Sequence, residues 1–201
     1  MSNCNPTIPL CPFRGATFNE VFQWAVEPLI YKTISAVPAL TPLTLTATAH
    51  GVPSGWSVAL TDFDCAVNAQ NWPPNLRSDF YRATAIDANT LVLNDVDGAR
   101  SQITETTGTL AYLTPVDLTG GSAVFNIYPY PSTTTSPTPL LGITATLDNT
   151  AKTISISISA VQTATLTSTE YSYALIYTDA SANVTILSTG TLEPQTIGVL
   201  P

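Results

Sequence analysis

Hydrophobic and polar residues alternate along much of this chain. Isoleucine occupies positions 154, 156 and 158, and serine occupies positions 155, 157 and 159. Thr41–Thr48 alternates leucine and alanine with threonine in the same way. A period of two places successive side chains on opposite faces of a strand, so each segment predicts a strand with one buried face.

Several other short segments carry the same signal and are separated by turn residues. Strands are predicted at Trp56–Leu60, Phe80–Ala85, Thr90–Leu93, Ala123–Ile127, Ile143–Leu147, Tyr171–Tyr177, Val184–Leu187 and Thr189–Ile197. Ala160–Leu166 is ambiguous and fits a short helical connection. Short strands at this spacing are typical of sandwiches and small barrels, so the fold class is predicted to be all-β.

The segment Phe18–Trp24 fits two patterns. Its apolar residues have helical spacing, and they also fit a strand with one bulge. Periodicity alone does not separate the two in so short a segment. Pro12 and Pro28 bracket a length too short for a typical helix, which favours a strand.

The stretch Tyr112–Tyr130 begins with a Pro/Asp/Gly turn signal and runs into the alternating strand Ala123–Ile127. We expect this strand to complete a β-domain that starts about 80 residues earlier. The predicted organisation is an extended arm over 1–9, a discontinuous β-sandwich over 10–32 and 111–201, and an inserted small β-domain over 33–110.

Charge is scarce in this chain and unevenly signed. Charged residues make up 10% of the sequence and the net charge is −8, against about 25% charged residues in an average soluble domain. The six Lys and Arg are scattered, so no basic patch is available for nucleic acid. An acidic surface also disfavours anionic membranes. A sparsely charged surface is better suited to packing against neighbours than to a free monomer.

The sequence shows neither a membrane-spanning segment nor an export signal. No run reaches 18 apolar residues, so we expect no membrane insertion. The first ten residues lack a basic segment followed by an apolar one, so we expect assembly in a cytoplasm.

Candidate catalytic and metal-binding residues are few. Cys4, Cys11 and Cys65 form no zinc-type pair and, with His50, predict neither a disulfide framework nor a metal site. A Ser-His-Asp site would need His50 with Asp62 or Asp64, and turn signals around His50 argue against it. The pair Asp95 and Asp97 is interpreted as turn-forming. We expect no enzymatic activity and no cofactor.

Exposed aromatic residues are the better candidates for function. Trp72, Pro73 and Pro74 lie in a long turn-rich segment. Tyr128 and Tyr130 follow the predicted strand Ala123–Ile127. Aromatic side chains are frequent anchors of protein interfaces. These five residues are therefore the predicted interface residues.

Several motifs resemble tail proteins of tailed bacteriophages. Arg14–Phe18, Thr114–Gly120 and Ala123–Ile127 resemble the opening of the immunoglobulin-like β-domain of baseplate upper proteins and related tail proteins. Within the predicted insertion, Thr46–Gly51 and Ala85–Leu93 resemble a small β-module common in phage tail proteins.

The resemblance implies an immunoglobulin-like β-sandwich interrupted by a small barrel or sandwich module. It implies a virion structural protein of the tail, baseplate or fibre-attachment region, acting by subunit packing after assembly in the host cytoplasm. The implied partners are other tail and baseplate proteins, tail fibres, and copies of the chain itself in a threefold or sixfold ring. A receptor- or carbohydrate-binding tail adhesin is the alternative, and a hydrolase is the third and least favoured hypothesis.

Overall fold

The computed structural model describes residues 9–61, 80–99, 106–130 and 138–196. Within these ranges the chain is all-β, with antiparallel sheets and one five-residue helix. The elements are β1 Phe18–Gln23, β2 Ala25–Ile34, β3 Ala36–Leu40, β4 Leu43–Thr46, β5 Trp56–Thr61, β6 Tyr81–Ala85, β7 Thr90–Leu93, β8 Gly108–Pro115, β9 Ser122–Pro129, β10 Leu141–Thr144, β11 Thr146–Asp148, β12 Thr153–Ile158, α1 Ala160–Ala164, β13 Tyr171–Thr178 and β14 Val184–Leu192.

The chain divides into two units. Met1–Trp24 and Asp117–Pro201 form the first, which we call the interrupted unit. Ala25–Val116 forms the second, which we call the inserted unit. The polypeptide passes between them after Trp24 and again after Val116.

The inserted unit is one curled antiparallel sheet of seven strands in the order β2-β8-β5-β6-β7-β4-β3. Its two edge strands, β2 and β3, are consecutive in the chain and are separated only by Ser35. Alternate residues of the strands point to one core, which excludes water from aliphatic side chains, one tryptophan and one tyrosine. This core includes Ile34, Leu43, Leu45, Trp56, Val58, Leu60, Leu91, Leu93, Leu110 and Tyr112.

The interrupted unit contains two antiparallel sheets. One has four strands in the order β10-β9-β13-β14, and the other has three in the order β1-β12-β11. The segment before β1 runs parallel to the end of β14, with bridges from Leu10 to Leu192 and from Phe13 to Gln195. Alternating residues again supply the buried side chains, among them Phe125, Ile127, Ile154, Ile156, Ile158, Tyr173, Leu175 and Leu192.

Several sequence predictions are confirmed. Phe18–Gln23 is a strand and pairs with β12, where Phe18 lies opposite Ile158. The three isoleucines of β12 are buried, as the alternation with serine predicted. The ambiguous segment after β12 begins with helix α1, where Ser159 and Gln162 form a capping box.

The sequence prediction missed β2, β3 and β8, and two of these strands, β2 and β8, move the observed boundaries between the units. The prediction assigned 25–32 and 111–116 to the discontinuous domain, whereas both stretches lie in the inserted unit. The reason is the pairing of β2 with β8, which runs from Ala25 opposite Pro115 to Ile34 opposite Gly108. Pro28, which brackets the segment predicted at Phe18–Trp24, lies at a register shift within β2, where proline is tolerated.

Two other boundaries differ from the prediction. The segments Val184–Leu187 and Thr189–Ile197 were predicted as separate strands, and Val184–Leu192 is one strand with an irregularity in its pairing to β13. The strand predicted at Ile143–Leu147 is two strands, β10 and β11, which belong to different sheets.

Candidate functional site

His50, the single histidine of the chain, has a structural role in the inserted unit. It is 2% exposed and lies in the turn between β4 and β5 of the inserted unit. The Val52 N–H donates to its Nδ1 at 3.0 Å, so the ring must carry its proton on Nε2. Nε2 donates to the Asp87 carbonyl oxygen at 2.8 Å.

The backbone of His50 is held as firmly as its ring. Its N–H donates to the Ala88 carbonyl at 3.1 Å, and its carbonyl accepts from the Tyr112 hydroxyl. Burial raises the pKa of Tyr112, which keeps this hydroxyl protonated as a donor. His50 therefore joins three segments of the inserted unit, and neither ring nitrogen is available to a substrate in this arrangement.

The acidic residues considered for chemistry have turn geometry where they are described. Asp97 Oδ1 accepts from the Thr41 hydroxyl at 2.8 Å, and Asp95 lies in the preceding turn. Asp62 and Asp64 lie outside the described residues, as do Cys4 and Cys65, while Cys11 is exposed. Among the residues that the structure describes, no group of three metal-ligating side chains comes together.

A polar network fixes the turn that enters β9 in the interrupted unit. Asp117 Oδ1 accepts from the Thr119 hydroxyl at 2.8 Å and from the Thr119 N–H at 3.2 Å. These bonds lower the pKa of Asp117, with a smaller contribution from Lys152. Lys152 Nζ donates to Asn149 Oδ1 at 2.6 Å and lies 3.5 Å from Asp117 Oδ1, so an ammonium already occupies the place a cation would take.

The same turn meets an aromatic pair formed by a buried tyrosine and a partly buried tryptophan. The rings of Trp24 and Tyr177 lie edge to face with centroids 5.1 Å apart, and Tyr177 is 2% exposed. Gly121 lies against the Tyr177 ring so closely that a Cβ there would be 2.3 Å from the hydroxyl oxygen. The glycine is therefore required by close approach rather than by turn geometry.

An open groove of about 490 Å³ lies at the end of β14, lined by Arg14, Glu170, Glu193 and neighbouring residues. Arg14 Nη2 donates to the Ser168 carbonyl at 2.8 Å. Its Nε is buried without a hydrogen-bond partner among the described residues. The acidic flanks disfavour an anionic ligand, and the groove is bordered in sequence by segments outside the described ranges.

The solvent side of the four-stranded sheet forms a continuous surface, which we call the outer face. Its side chains alternate with the buried side chains along β9, β10, β13 and β14, and none of them is charged. Its residues are Ser122, Val124, Asn126, Tyr128, Gly142, Thr144, Ser172, Ala174, Ile176, Thr178, Val184, Ile186, Thr189 and Thr191.

Two adjacent rows of the outer face differ in height. The apolar row consists of Val124, Ile176 and Ile186, which lie opposite one another across β9, β13 and β14. The small row next to it consists of Gly142, Asn126, Ala174 and Thr189. Val124 is 37% exposed and Ile186 is 47% exposed, so the apolar row presents hydrophobic surface to solvent.

The predicted interface residues are only partly described. Tyr128 lies on the outer face opposite Ser172, and Tyr130 follows the end of β9 with 52% of its surface exposed. Trp72, Pro73 and Pro74 lie outside the described residues. The sequence prediction missed the outer face, although the sequence carried a signal for it. The solvent-facing positions of these strands carry Ser, Thr, Val and Ile, where an exposed sheet usually carries Lys and Glu.

Comparison with known proteins adds no family. The chain matches no protein-family model, and a search of curated proteins found no match either. Among the described residues, no helix has the length and apolar character needed to cross a bilayer.

Proposed function

We propose that this chain is a structural subunit of a tailed-phage virion, in the tail, baseplate or fibre-attachment region. In this proposal its action is mechanical: two β-units present surfaces to neighbouring subunits, and burial of uncharged surface drives assembly. Its partners are other tail and baseplate proteins, tail fibres, and copies of itself.

The finer fold assignment belongs to the same proposal. We assign the interrupted unit to the immunoglobulin-like sandwiches and the inserted unit to the small β-modules of phage tails. Support comes from the sheets of four and three strands in the interrupted unit and from their alternating buried residues. The chain leaves this unit after its first strand, β1, and returns before β9.

The observation that carries the proposal is the uncharged outer face. A protein that works as a free monomer keeps its surface soluble with charges. Here a four-stranded sheet faces solvent with Ser, Thr, Val and Ile. Exposed apolar surface that is rimmed by polar residues marks sites of protein interaction.

Particle composition tests the proposal. Purified particles of the phage that encodes this chain, cleared of free protein by density gradient, should yield its peptides by mass spectrometry. Antibody labelling of the same particles should mark the tail rather than the head. The chain's presence in the lysate together with its absence from particles would reject the proposal.

One observation favours the adhesin alternative. Tyr130 is half exposed at the end of β9, just before a segment rich in proline and threonine, and exposed tyrosines stack well on sugars and protein surfaces. Glycan-array binding by the purified chain, lost in Tyr130→Ala and kept in Tyr31→Ala, would support this function. Tyr31 is a matched control because it is also an exposed tyrosine, at 45%. No binding to any glycan counts against the adhesin.

A further inference from the structure

We propose that the outer face is a contact between two copies of this chain, related by a two-fold axis. The proposal rests on the structural function proposed above and names the occupant of one surface. It follows from the charge, the relief and the area of the outer face.

Charge decides which kind of partner fits. A partner with a basic surface would be drawn to acidic residues such as Asp117, Asp148 and Asp179, and not to a face without charge. A charged partner surface would also lose hydration against the outer face and gain no ion pair. The occupant is therefore itself uncharged, and the outer face of a second copy is such a surface.

The net charge of the chain points to the same face. Two copies with a net charge of −8 repel each other in most orientations. The charged residues described in the interrupted unit lie in turns, beside the groove, on β1 or at the end of β11, and none belongs to the outer face. Contact through the outer face keeps these charges apart and solvated.

The relief of the outer face is self-complementary along β13 and β14. There the isoleucines of the apolar row lie beside smaller residues of the small row, Ile176 beside Ala174 and Ile186 beside Thr189, whereas Val124 lies beside Asn126, which is no smaller. The two rows are about 7 Å apart along the strands. A two-fold axis between them places the apolar row of each copy over the small row of the other, in the aligned packing that sheets adopt.

The area fits a modest affinity. β9 and β13 are each eight residues long, and four strands at about 4.8 Å spacing and 3.3 Å per residue cover roughly 500 Å². Two copies then bury roughly 1,000 Å² in total, the lower limit for a specific interface. We expect a dissociation constant of about 1–100 μM, so the pair forms in the crowded setting of an assembly and dissociates on dilution.

A two-fold contact also bears on copy number. An isologous contact pairs copies, so an assembly in which every copy uses this contact contains an even number of copies.

Sedimentation velocity of the purified chain over a range of concentrations tests the contact. The weight-average mass should rise from 21.2 kDa toward twice that value. Ile186→Lys and Ile186→Asp should both weaken association by at least about a hundredfold, because either buries an unpaired charge. Raising NaCl from about 0.05 to 0.5 M should strengthen association of the wild type by screening the repulsion between copies.

The control variants introduce the same charges at a position off the outer face. Val161→Lys and Val161→Asp alter a residue of α1 that is 78% exposed and lies off the outer face, and they should associate like the wild type. Circular dichroism melts check that each variant folds. Val124→Lys, at the other end of the apolar row, provides a second disruption if Ile186→Lys unfolds.

Two results would overturn the contact. One is a wild type that stays monomeric up to about 1 mM, well above the expected dissociation constant. The other is association that survives Ile186→Lys and Val124→Lys. A chain that is present in particles yet monomeric in solution would reject this contact and leave the structural function standing; a chain that pairs in solution yet is absent from particles would do the reverse.

Discussion

The two units share one way of holding a turn, an exposed carboxylate such as Asp87 in the inserted unit, and the inserted unit adds a second way. In the inserted unit a buried histidine bonds three segments, and His50 is 2% exposed. In the interrupted unit, solvent-exposed carboxylates bond nearby N–H groups, as Asp117 does with Thr119 and Asp179 with Ser181 and Asn183. Both kinds of side chain satisfy the backbone of a turn, but the histidine is buried and the carboxylates are exposed to solvent.

Because His50 is buried, losing its hydrogen bonds should cost more stability than losing those of an exposed carboxylate. A buried donor or acceptor that loses its partner cannot turn to water, whereas an exposed one can. The inserted unit should therefore be sensitive to its histidine, and the interrupted unit should tolerate the loss of any single carboxylate. The exception in the interrupted unit is the turn before β9, where Gly121 lies against the buried Tyr177 ring.

Gly121→Ala tests that exception and should have the largest effect. The new Cβ would lie 2.3 Å from the Tyr177 hydroxyl oxygen and under 3 Å from two ring carbons. The ring cannot move cheaply because it is buried and packs on Trp24. We expect a loss of about 3 kcal/mol or more in the free energy of unfolding, measured by denaturant titration.

The control for Gly121→Ala is the same substitution at Gly142. A Cβ at Gly142 would meet only Asn126 Oδ1, at 3.2 Å, and this side chain can rotate. Gly142→Ala should change stability by less than about 1 kcal/mol, because alanine also restricts the unfolded chain. Equal losses in the two variants would contradict the role given to Tyr177.

His50→Ala should have the next largest effect. It removes the acceptor of the Val52 N–H and the donor to the Asp87 carbonyl, and it leaves a cavity. We expect a loss of about 2–3 kcal/mol in the stability of the inserted unit. Hydrogen exchange at the amide of Val52 should accelerate more than that of amides in β13.

His50→Asn sharpens the comparison. An asparagine side chain can accept from the N–H two residues on, as the aspartates of the interrupted unit do. It should keep the bond to the Val52 N–H and lose the one to Asp87, so its cost should lie between those of wild type and His50→Ala. A cost equal to that of His50→Ala would mean that packing, and not hydrogen bonding, fixes this turn.

The contribution of the carboxylates should depend on pH. Hydrogen bonds, led by those from Asn89, Thr119 and Asn183, hold the pKa values of Asp87, Asp117 and Asp179 below the ordinary 3.8. A lowered folded-state pKa means that the unfolded chain binds protons first as pH falls. The stability they add is therefore fully present above about pH 5 and is lost as pH falls through and below about 4.

Thermal melts between about pH 7 and pH 3 measure this loss. In the double variant Asp117→Asn, Asp179→Asn the side chains still accept hydrogen bonds but no longer titrate in this range. Its melting temperature should fall less steeply below pH 4 than that of the wild type. Parallel curves would show that these two carboxylates do not contribute to acid sensitivity.

Local pattern explains why much of the fold was predictable. Ile154–Ile158 alternates without interruption, and one face of that strand is buried throughout. His50 was correctly interpreted as a turn residue, because Gly51 and Pro53 follow it. Such signals arise from a few neighbouring residues, so a single sequence reveals them.

Pairing partners are not a local property, and this is where prediction was wrong. Ala25–Ile34 contains Pro28 and Glu27, and only its pairing with Gly108–Pro115, about 80 residues away, makes it a strand of the inserted unit. The outer face was missed for a related reason. Val124, Ile176 and Ile186 lie far apart in sequence, and only the sheet register brings them into one row.

Lys152→Ala should have the smallest effect and completes the comparison. Lys152 bonds Asn149 and approaches Asp117, whose side chain is 73% exposed, so solvent screens the pair. We expect a loss below about 1 kcal/mol, and less at high salt, by denaturant titration. A loss as large as that of His50→Ala would contradict the distinction between buried and exposed turn bonds, because an exposed network would then be holding its unit as firmly as a buried one.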